Sequence, residues 1–562
     1  MSTPESGNPF LRLFQSDDQP RKEPSALLNL FLGEKAPNDS AAEVEPPPNC
    51  AVAFAPEHVF WSLRDIPVTE AVKSFMICGA PGSGKTKGIQ LFLQSIAPRI
   101  IPTEGAPPEQ LIMFDAKGDA IPMLASMDLR PELGDYYILN PFDTRCAIWH
   151  LGEAITEPGM DAALAALLVP EDKTSTAPYF TQAAQEVVKG VIQSLQYVAG
   201  TEWTLRDVLC AVESVEHIKR LTSRFGPAKR KVHAYINDEK HFSGVLSTIA
   251  SKIGRFDAVA ALWAKNRGGP KFSAKEFLRK PGVLILGNDP VLRDSIWPFN
   301  AIILKSLTNQ ILRQSDTFSP RHWFILDEFR AMEKVDCIHS LLNMGRSKGA
   351  SVTLGIQTVE GINQIYGEDG ASDIMAMCAY KTFLRAGSYK TAEWAERHFS
   401  KVRQMETSYS SGASGNSTNR ALHERSLFLA STFLDLGFPG PGADYESISD
   451  VPCIRETIFS RRPFEEILAW ARELGDVPAL DAVTEPDAHL LHPWDEVEEA
   501  FFLTGPKQVA PPINPSQAQE NGAADAQPPK EPDPPGITDN PPGTGPSLDD
   551  FPGIDSIRKP TS

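Results

Sequence analysis

The sequence predicts an α/β fold: a mostly parallel sheet covered by helices on both faces, carrying a phosphate-binding loop, with an inserted all-α domain and disordered termini. Three observations predict it. Short apolar runs bounded by turn residues alternate with helical periodicity, the pattern of strands buried on both faces. A glycine-rich loop, "GAPGSGKT", stands between one such run and a helix. Between the early and late strands, helix-like segments follow one another with no strand among them.

In chain order, residues 1–50 are rich in Pro, Gly, Ser and acids and lack sustained apolar periodicity, so they read as a disordered arm. Residues 51–153 form the first part of the sheet domain. There "FMIC" is a strand and "IQLFLQSI" a helix buried through Ile89, Phe92, Leu93 and Ile96. The loop between them fits G-x-x-x-x-G-K-[ST]. Gly79, Gly82, Ser83 and Gly84 let backbone N–H groups close around a nucleotide phosphate, Lys85 neutralises its charge, and the Thr86 hydroxyl can ligate Mg²⁺. "LIMFD" (Leu111 to Asp115) and "YYILN" (Tyr136 to Asn140) are further strands.

Residues 154–280 read as the all-α insertion, with "YFTQAAQEVVKGVIQSLQYVA", "TLRDVLCAVESVEHIKRL" and "FSGVLSTIASKIGRF" as helices. Thr204 and Ser243 are the expected N-caps of the latter two. Basic residues gather in this region: Lys219, Arg220, Arg224, Lys229, Arg230 and Lys231, then Lys252, Arg255, Lys265, Arg267 and Lys271. Such charges suit sequence-independent phosphate contacts with DNA, and equally a solvated helix face.

Residues 281–470 complete the sheet with "GVLILGN", "HWFILDEFRAM", "ASVTLGIQ" and "YKTFLRA". The strand ending at Leu326 delivers Asp327, placed to hold Mg²⁺, and Glu328, placed to polarise an attacking water. Asp115, Asp327 and Gln357 all fall at strand carboxyl ends, where such sheets bind ligands. Residues 471–503 read as a helical C-terminal extension, and 504–562 as a disordered, proline-rich acidic tail with a docking-like "SLDDFPGIDSI" near its end.

The net charge of −18 argues against a polybasic binder. The seven cysteines (Cys50, Cys78, Cys146, Cys210, Cys337, Cys378, Cys453) lack metal-ligand spacing, as in a reduced compartment. No run reaches membrane-spanning length, so the expected location is cytoplasmic.

The phosphate loop, "FDAKGD", "NPFDTRCAIWHLGEAI", "ILDEFRAM", "GRSKGASVTLGIQT" and "IYGEDGASDIMA" occur in an order that resembles the TraD/TraG-like coupling proteins of conjugation and type IV secretion, a branch of the FtsK/HerA motors. The resemblance spans about Val59 to Leu436. It implies a RecA-like P-loop ATPase using ATP and Mg²⁺. The partners it implies are DNA, relaxase or relaxosome proteins, channel components at the inner membrane, and five further copies in a hexamer. A peripheral place at the inner membrane is implied by the resemblance alone. It makes Lys85, Glu328, Arg346 and Gln357 the catalytic set, with Gln357 sensing the γ-phosphate and Arg346 offered as an arginine finger to a neighbour. Relatives usually carry N-terminal transmembrane helices, which this sequence does not display. Many also carry a His before the loop, where "EAVKSFMICG" has none, and a Gly where Ser400 stands. Two other readings stay open on sequence: a HerA/FtsK-like DNA motor in maintenance or defence, and a nucleotide-gated receptor for secretion substrates.

Overall fold

The computed structural model describes residues 57–505, apart from 102–104, 106, 132–134, 172–177, 237–238, 267–268, 290, 400 and 413–414. The arm 1–50 and residues 506–562 of the tail therefore lie outside the described residues, as do 51–56 at the start of the expected sheet domain; residues 504–505 are described. Arg267 and Ser400 lie outside them too.

One sheet of nine strands organises the molecule. In chain order these are β1 (Phe75–Cys78), β2 (Gln110–Asp115), β3 (Asp135–Leu139), β4 (Gly282–Gly287), β5 (His322–Leu326), β6 (Ala350–Ile356), β7 (Tyr380–Phe383), β8 (Asp444–Val451) and β9 (Glu456–Pro463). Their spatial order is β9-β8-β7-β1-β6-β5-β2-β4-β3. The seven from β7 to β3 run parallel, and β8 and β9 add an antiparallel edge. Alternate residues of each central strand enter two separate cores, so Met76, Ile112, Phe324 and Leu354 face one and Ile77, Leu111, Ile325 and Phe75 the other. That double burial is why these strands are written as unbroken apolar runs.

On one face packs α1 (Lys85–Ile100), which buries Ile89, Phe92, Leu93 and Ile96 as its periodicity requires. Phe92 meets Phe75 at 4.8 Å and Trp323 at 6.0 Å between ring centroids, and Trp61 and Tyr380 close the cluster around Phe75. Trp61 comes from a hairpin, His58–Trp61 with Arg64–Pro67, that precedes the loop strand.

Among the described residues from Leu151 to Phe277, helices joined by short loops are interrupted by the two-residue strand Lys271–Phe272. Its longest helix, Pro178–Ala199, crosses Gly226–Ile236 at Gly190, where a Cβ would stand 2.4 Å from Val232 Cγ2. Thr204 caps Leu205–Val212 in a capping box with Asp207, as expected. The single helix expected over Thr204 to Leu221 is instead two, because the Ser214 side chain accepts the His217 N–H at 3.1 Å and starts Val215–Ser223 afresh. The helix expected to start at Ser243 begins upstream at Glu239, leaving Ser243 inside the helix rather than at its cap.

The stretch 471–503 departs from a helical extension. Only Glu496–Leu503 is helical, capped by Asp495; Pro478, Pro486 and Pro493 interrupt the rest, since proline lacks the N–H a helix interior needs. This segment returns along the molecule. Val483 N–H bonds to Phe142 O at 3.0 Å, and the buried Trp494 donates its indole N–H to Asp207 at 2.9 Å.

No helix among the described residues is long and apolar enough to cross a membrane.

Candidate functional site

The phosphate loop leaves β1 at Cys78 and enters α1 at Lys85. Two backbone bonds suspend it from neighbouring strands: Gly79 N–H to Ile356 O at 3.1 Å, at the end of β6, and Ala80 N–H to Arg385 O at 2.8 Å, beyond β7. Gly84 is required twice over. Its φ is +95°, and a Cβ there would stand 2.7 Å from the Tyr445 ring and 3.1 Å from Pro439. Tyr445 belongs to the antiparallel β8 and packs beneath the loop, and burial pushes its phenol pKa up. Gly82 takes φ +78°.

Lys85 is only 6% exposed. Its ammonium lies 3.3 Å from Glu328 Oε2 and 3.5 Å from Asp327 Oδ1. Gln357 donates its amide N–H to the same Glu328 oxygen at 2.7 Å. The acidic pair is placed by the end of β5, with Asp327 buried and Glu328 in the left-handed region at φ +60°. A carbon side chain seldom adopts that conformation, and here it turns Glu328 back towards Lys85 and Gln357. Thus Lys85, Asp327, Glu328 and Gln357, distant in sequence, converge beyond the carboxyl ends of three adjacent strands.

Thr86, at the start of α1, is joined to Asp327 through a residue that sequence reasoning did not single out. Lys117 donates to Thr86 Oγ1 at 3.0 Å and to Asp327 Oδ2 at 3.1 Å. Burial alone would lower its pKa, but Asp327 outweighs it and holds the ammonium charged. Lys117 sits on the turn after β2, where Asp115 Oδ1 accepts the N–H groups of Gly118 at 2.8 Å and Asp119 at 3.1 Å. Burial, with Asp119 nearby, pushes the Asp115 carboxyl up to about 6. The available signal was a lysine two residues beyond a strand-end aspartate, in the quoted "FDAKGD".

The donors fit a nucleotide with a hard divalent cation. Thr86 and Asp327 offer a hydroxyl and a carboxylate oxygen, the ligands Mg²⁺ prefers. Ser83 Oγ is buried with no protein partner, in a loop where Gly79 and Gly84 leave no room for a Cβ. Among the described residues no cluster of three His, Cys, Asp or Glu side chains suggests another metal centre. The described cysteines are unpaired by disulfides, and burial pushes Cys78 and Cys378 up to about 12.

Arg346 is not brought to this site. It is exposed and precedes β6, at the strand's amino end, whereas Gln357 follows the carboxyl end. The length of β6 separates the two, so Arg346 cannot serve its own chain's loop.

The basic residues divide. Arg224 donates to the carbonyls of Phe501, Phe502 and Gly505 at 2.6 to 2.8 Å, Arg220 lies 4.0 Å from Glu499, and Lys265 pairs with Glu485. Lys271 pairs with Glu202 at 2.8 Å. Arg255 stacks on Phe256, and desolvation lowers its pKa. Lys219, Lys229, Arg230 and Lys231 point to solvent.

The phosphate loop, the strand-end acidic pair and the central parallel sheet define a RecA-like P-loop α/β protein. The chain belongs to the family described as the type IV secretion-system coupling protein DNA-binding domain, which matches residues 62–437. It is 23% identical over 407 residues to the coupling protein TraD of Escherichia coli (strain K12), covering 70% of this chain and 52% of that protein. The chain thus spans about half the length of that relative. Among solved structures it resembles the bacterial conjugative coupling protein TrwBdeltaN70 in its unbound monoclinic form, with TM-score 0.56 and 16% identity over 76% of this chain and 92% of the other. The plasmid coupling protein TrwB in complex with ADP and Mg²⁺ gives the same figures: TM-score 0.56, 16% identity, 76% and 92% coverage. At that identity the likeness bears on the fold.

Proposed function

We propose that this protein is an ATP-hydrolysing, DNA-binding coupling protein that recruits DNA or a relaxase–DNA substrate and pumps it to a type IV secretion channel at the inner membrane. The observation that carries the reading is the convergence of Lys85, Asp327, Glu328 and Gln357 on one point beside the phosphate loop. Membership of the coupling-protein family, and a structural relative described in complex with ADP and Mg²⁺, support ATP and Mg²⁺ as the bound pair.

In this mechanism the loop N–H groups and the start of α1 bind the phosphates, and Lys85 neutralises their charge. Thr86 and Asp327 would hold Mg²⁺, which would supply Lewis-acid neutralisation of the phosphate oxygens. Glu328 orients and polarises the attacking water. Gln357, bonded to that carboxylate, couples its position to the terminal phosphate. Arg346, at the opposite end of the sheet, is available to the loop of an adjacent subunit, which favours a ring, and we take the ring as a homo-hexamer. The exposed Lys219, Lys229, Arg230 and Lys231 are the DNA-contacting candidates left once the neutralised arginines are set aside.

Hydrolysis by purified protein should rise with DNA, and Lys85→Ala and Glu328→Gln should each abolish it and plasmid transfer together, the second while retaining ATP binding. Wild-type transfer by both variants would sink the mechanism. Hydrolysis indifferent to DNA, with cargo protein still captured, would favour the nucleotide-gated receptor.

A further inference from the structure

Lys117 bridges Thr86 and Asp327, the two residues whose oxygens a divalent cation would need. Its ammonium stands 3.0 Å from Thr86 Oγ1 and 3.1 Å from Asp327 Oδ2. A Mg²⁺ ion would need the same two oxygens turned to a common point at about 2.1 Å. Two cations cannot share that point.

We propose that Lys117 is a positioning residue that competes with the divalent cation for Thr86 and Asp327, so that its side chain must withdraw before the metal-bound nucleotide seats. The proposal rests on the nucleotide reading of the site. Charge balance explains why a competitor belongs there. Asp327 is flanked by Lys85 on Oδ1 at 3.5 Å and Lys117 on Oδ2 at 3.1 Å, and Glu328 shares Lys85. Two ammonium groups thus offset two adjacent carboxylates that would otherwise repel each other. A divalent cation added to both lysines would leave two positive charges in excess over these two carboxylates, and withdrawal of Lys117 removes one of them.

The two lysines are built differently. Lys85 is 6% exposed and fixed between two carboxylates, whereas the Lys117 side chain is 40% exposed and opens to water. The space beside it is open as well: Gly118 takes φ +78°, and a Cβ there would touch nothing within 4 Å. Asp115 anchors the turn's backbone, so the lysine stem can swing while the backbone stays.

The test is a Mg²⁺ titration of mant-ADP fluorescence on the full chain, for wild type, Lys117→Met and Lys117→Arg. Removing the competitor should lower the half-saturating Mg²⁺ concentration by roughly fivefold, the scale of a half-exposed ion pair, while Lys117→Arg stays at or above the wild-type midpoint. Melting temperature supplies the second readout: without Mg²⁺, Lys117→Met should melt lower than wild type, and saturating Mg²⁺ with ADP should close the gap. A midpoint that is unchanged or higher in Lys117→Met, with wild type binding normally, overturns the competition alone. Wild type that binds no mant-ADP at any Mg²⁺ concentration overturns the nucleotide reading and this proposal with it.

Discussion

Replacing Gly355 by alanine should cripple hydrolysis while leaving the sheet folded. Gly355 lies in β6 opposite the end of β5, and a Cβ there would stand 2.5 Å from Asp327 Oδ1, 3.1 Å from Asp327 Cα and 3.2 Å from Glu328 N. Relief to a normal carbon–oxygen contact requires the carboxylate oxygen to retreat by about 1 Å. The backbones cannot slide to help, because β6 and β5 are paired in register at Thr353↔Ile325 and Leu354↔Leu326. The Asp327 side chain must therefore rotate, giving up the Glu328 N–H that its Oδ1 accepts at 2.9 Å and its approach to Lys85 at 3.5 Å. Overpacking of this kind costs about 1 to 3 kcal/mol, and a misplacement of about 1 Å beside the chemistry costs on the order of 100-fold in rate. The expected result is a kcat for ATP hydrolysis lowered by about two decades, with a melting temperature a few degrees down and an unchanged circular dichroism spectrum. Gly355→Ala protein that hydrolyses ATP within about threefold of wild type would refute the claim that this strand contact sets the carboxylates.

Two further outcomes test other parts of the structure. Asp115 titrates at about 6 in the folded protein against 3.8 as its ordinary value, so the native state binds the extra proton between those limits. Its contribution is present below pH 3.8 and fades as pH rises through about 6, by at most about 3 kcal/mol; urea unfolding of wild type minus Asp115→Asn should fall across that window, and a flat difference would contradict it. Arg206 is 11% exposed and donates to His492 O at 2.9 Å, Pro493 O at 2.6 Å and both Glu498 oxygens. Arg206→Ala should cost about 2 kcal/mol and open the 485–505 segment to limited proteolysis, whereas a wild-type digestion pattern would mean the segment is held elsewhere.

Much of the fold was legible in the sequence because strands buried on both faces must be apolar throughout. "FMIC", "LIMFD", "GVLILGN" and "HWFIL" could be little else. The antiparallel strand "DYESISDV" was missed for the converse reason: its buried positions include Ser447 and Ser449, and Ser449 reaches Ser62 in a hairpin turn at 2.8 Å and Thr382 on the neighbouring β7 at 3.2 Å. A buried serine satisfied across a sheet looks like a loop residue in one dimension. The 471–495 stretch misled similarly, since Trp494 packs on His217 and Phe502 and donates to Asp207 rather than lying in a helix of its own. The Asp143 and Arg145 of "NPFDTRC" served only as a mark of resemblance. In the structure they form an ion pair at 2.6 Å, and Arg145 holds Pro478 O at 3.0 Å, which fastens the returning segment.

The sequence by itself determined the phosphate loop, the strand that ends in Asp327 and Glu328, and the parallel character of the sheet, because each depends on chemistry written within a dozen or so neighbouring residues. Only the tertiary structure decided which charges meet. It set Lys117 between Thr86 and Asp327, turned Gln357 onto Glu328, sent Arg346 to the far end of β6 and committed Arg224 to the carbonyls of the C-terminal helix. Those pairings follow from the spatial order of the strands, with β1 between β7 and β6 and β5 between β6 and β2. That order is fixed by how crossover helices pack on two cores, a free energy summed over the whole sheet that no local pattern contains.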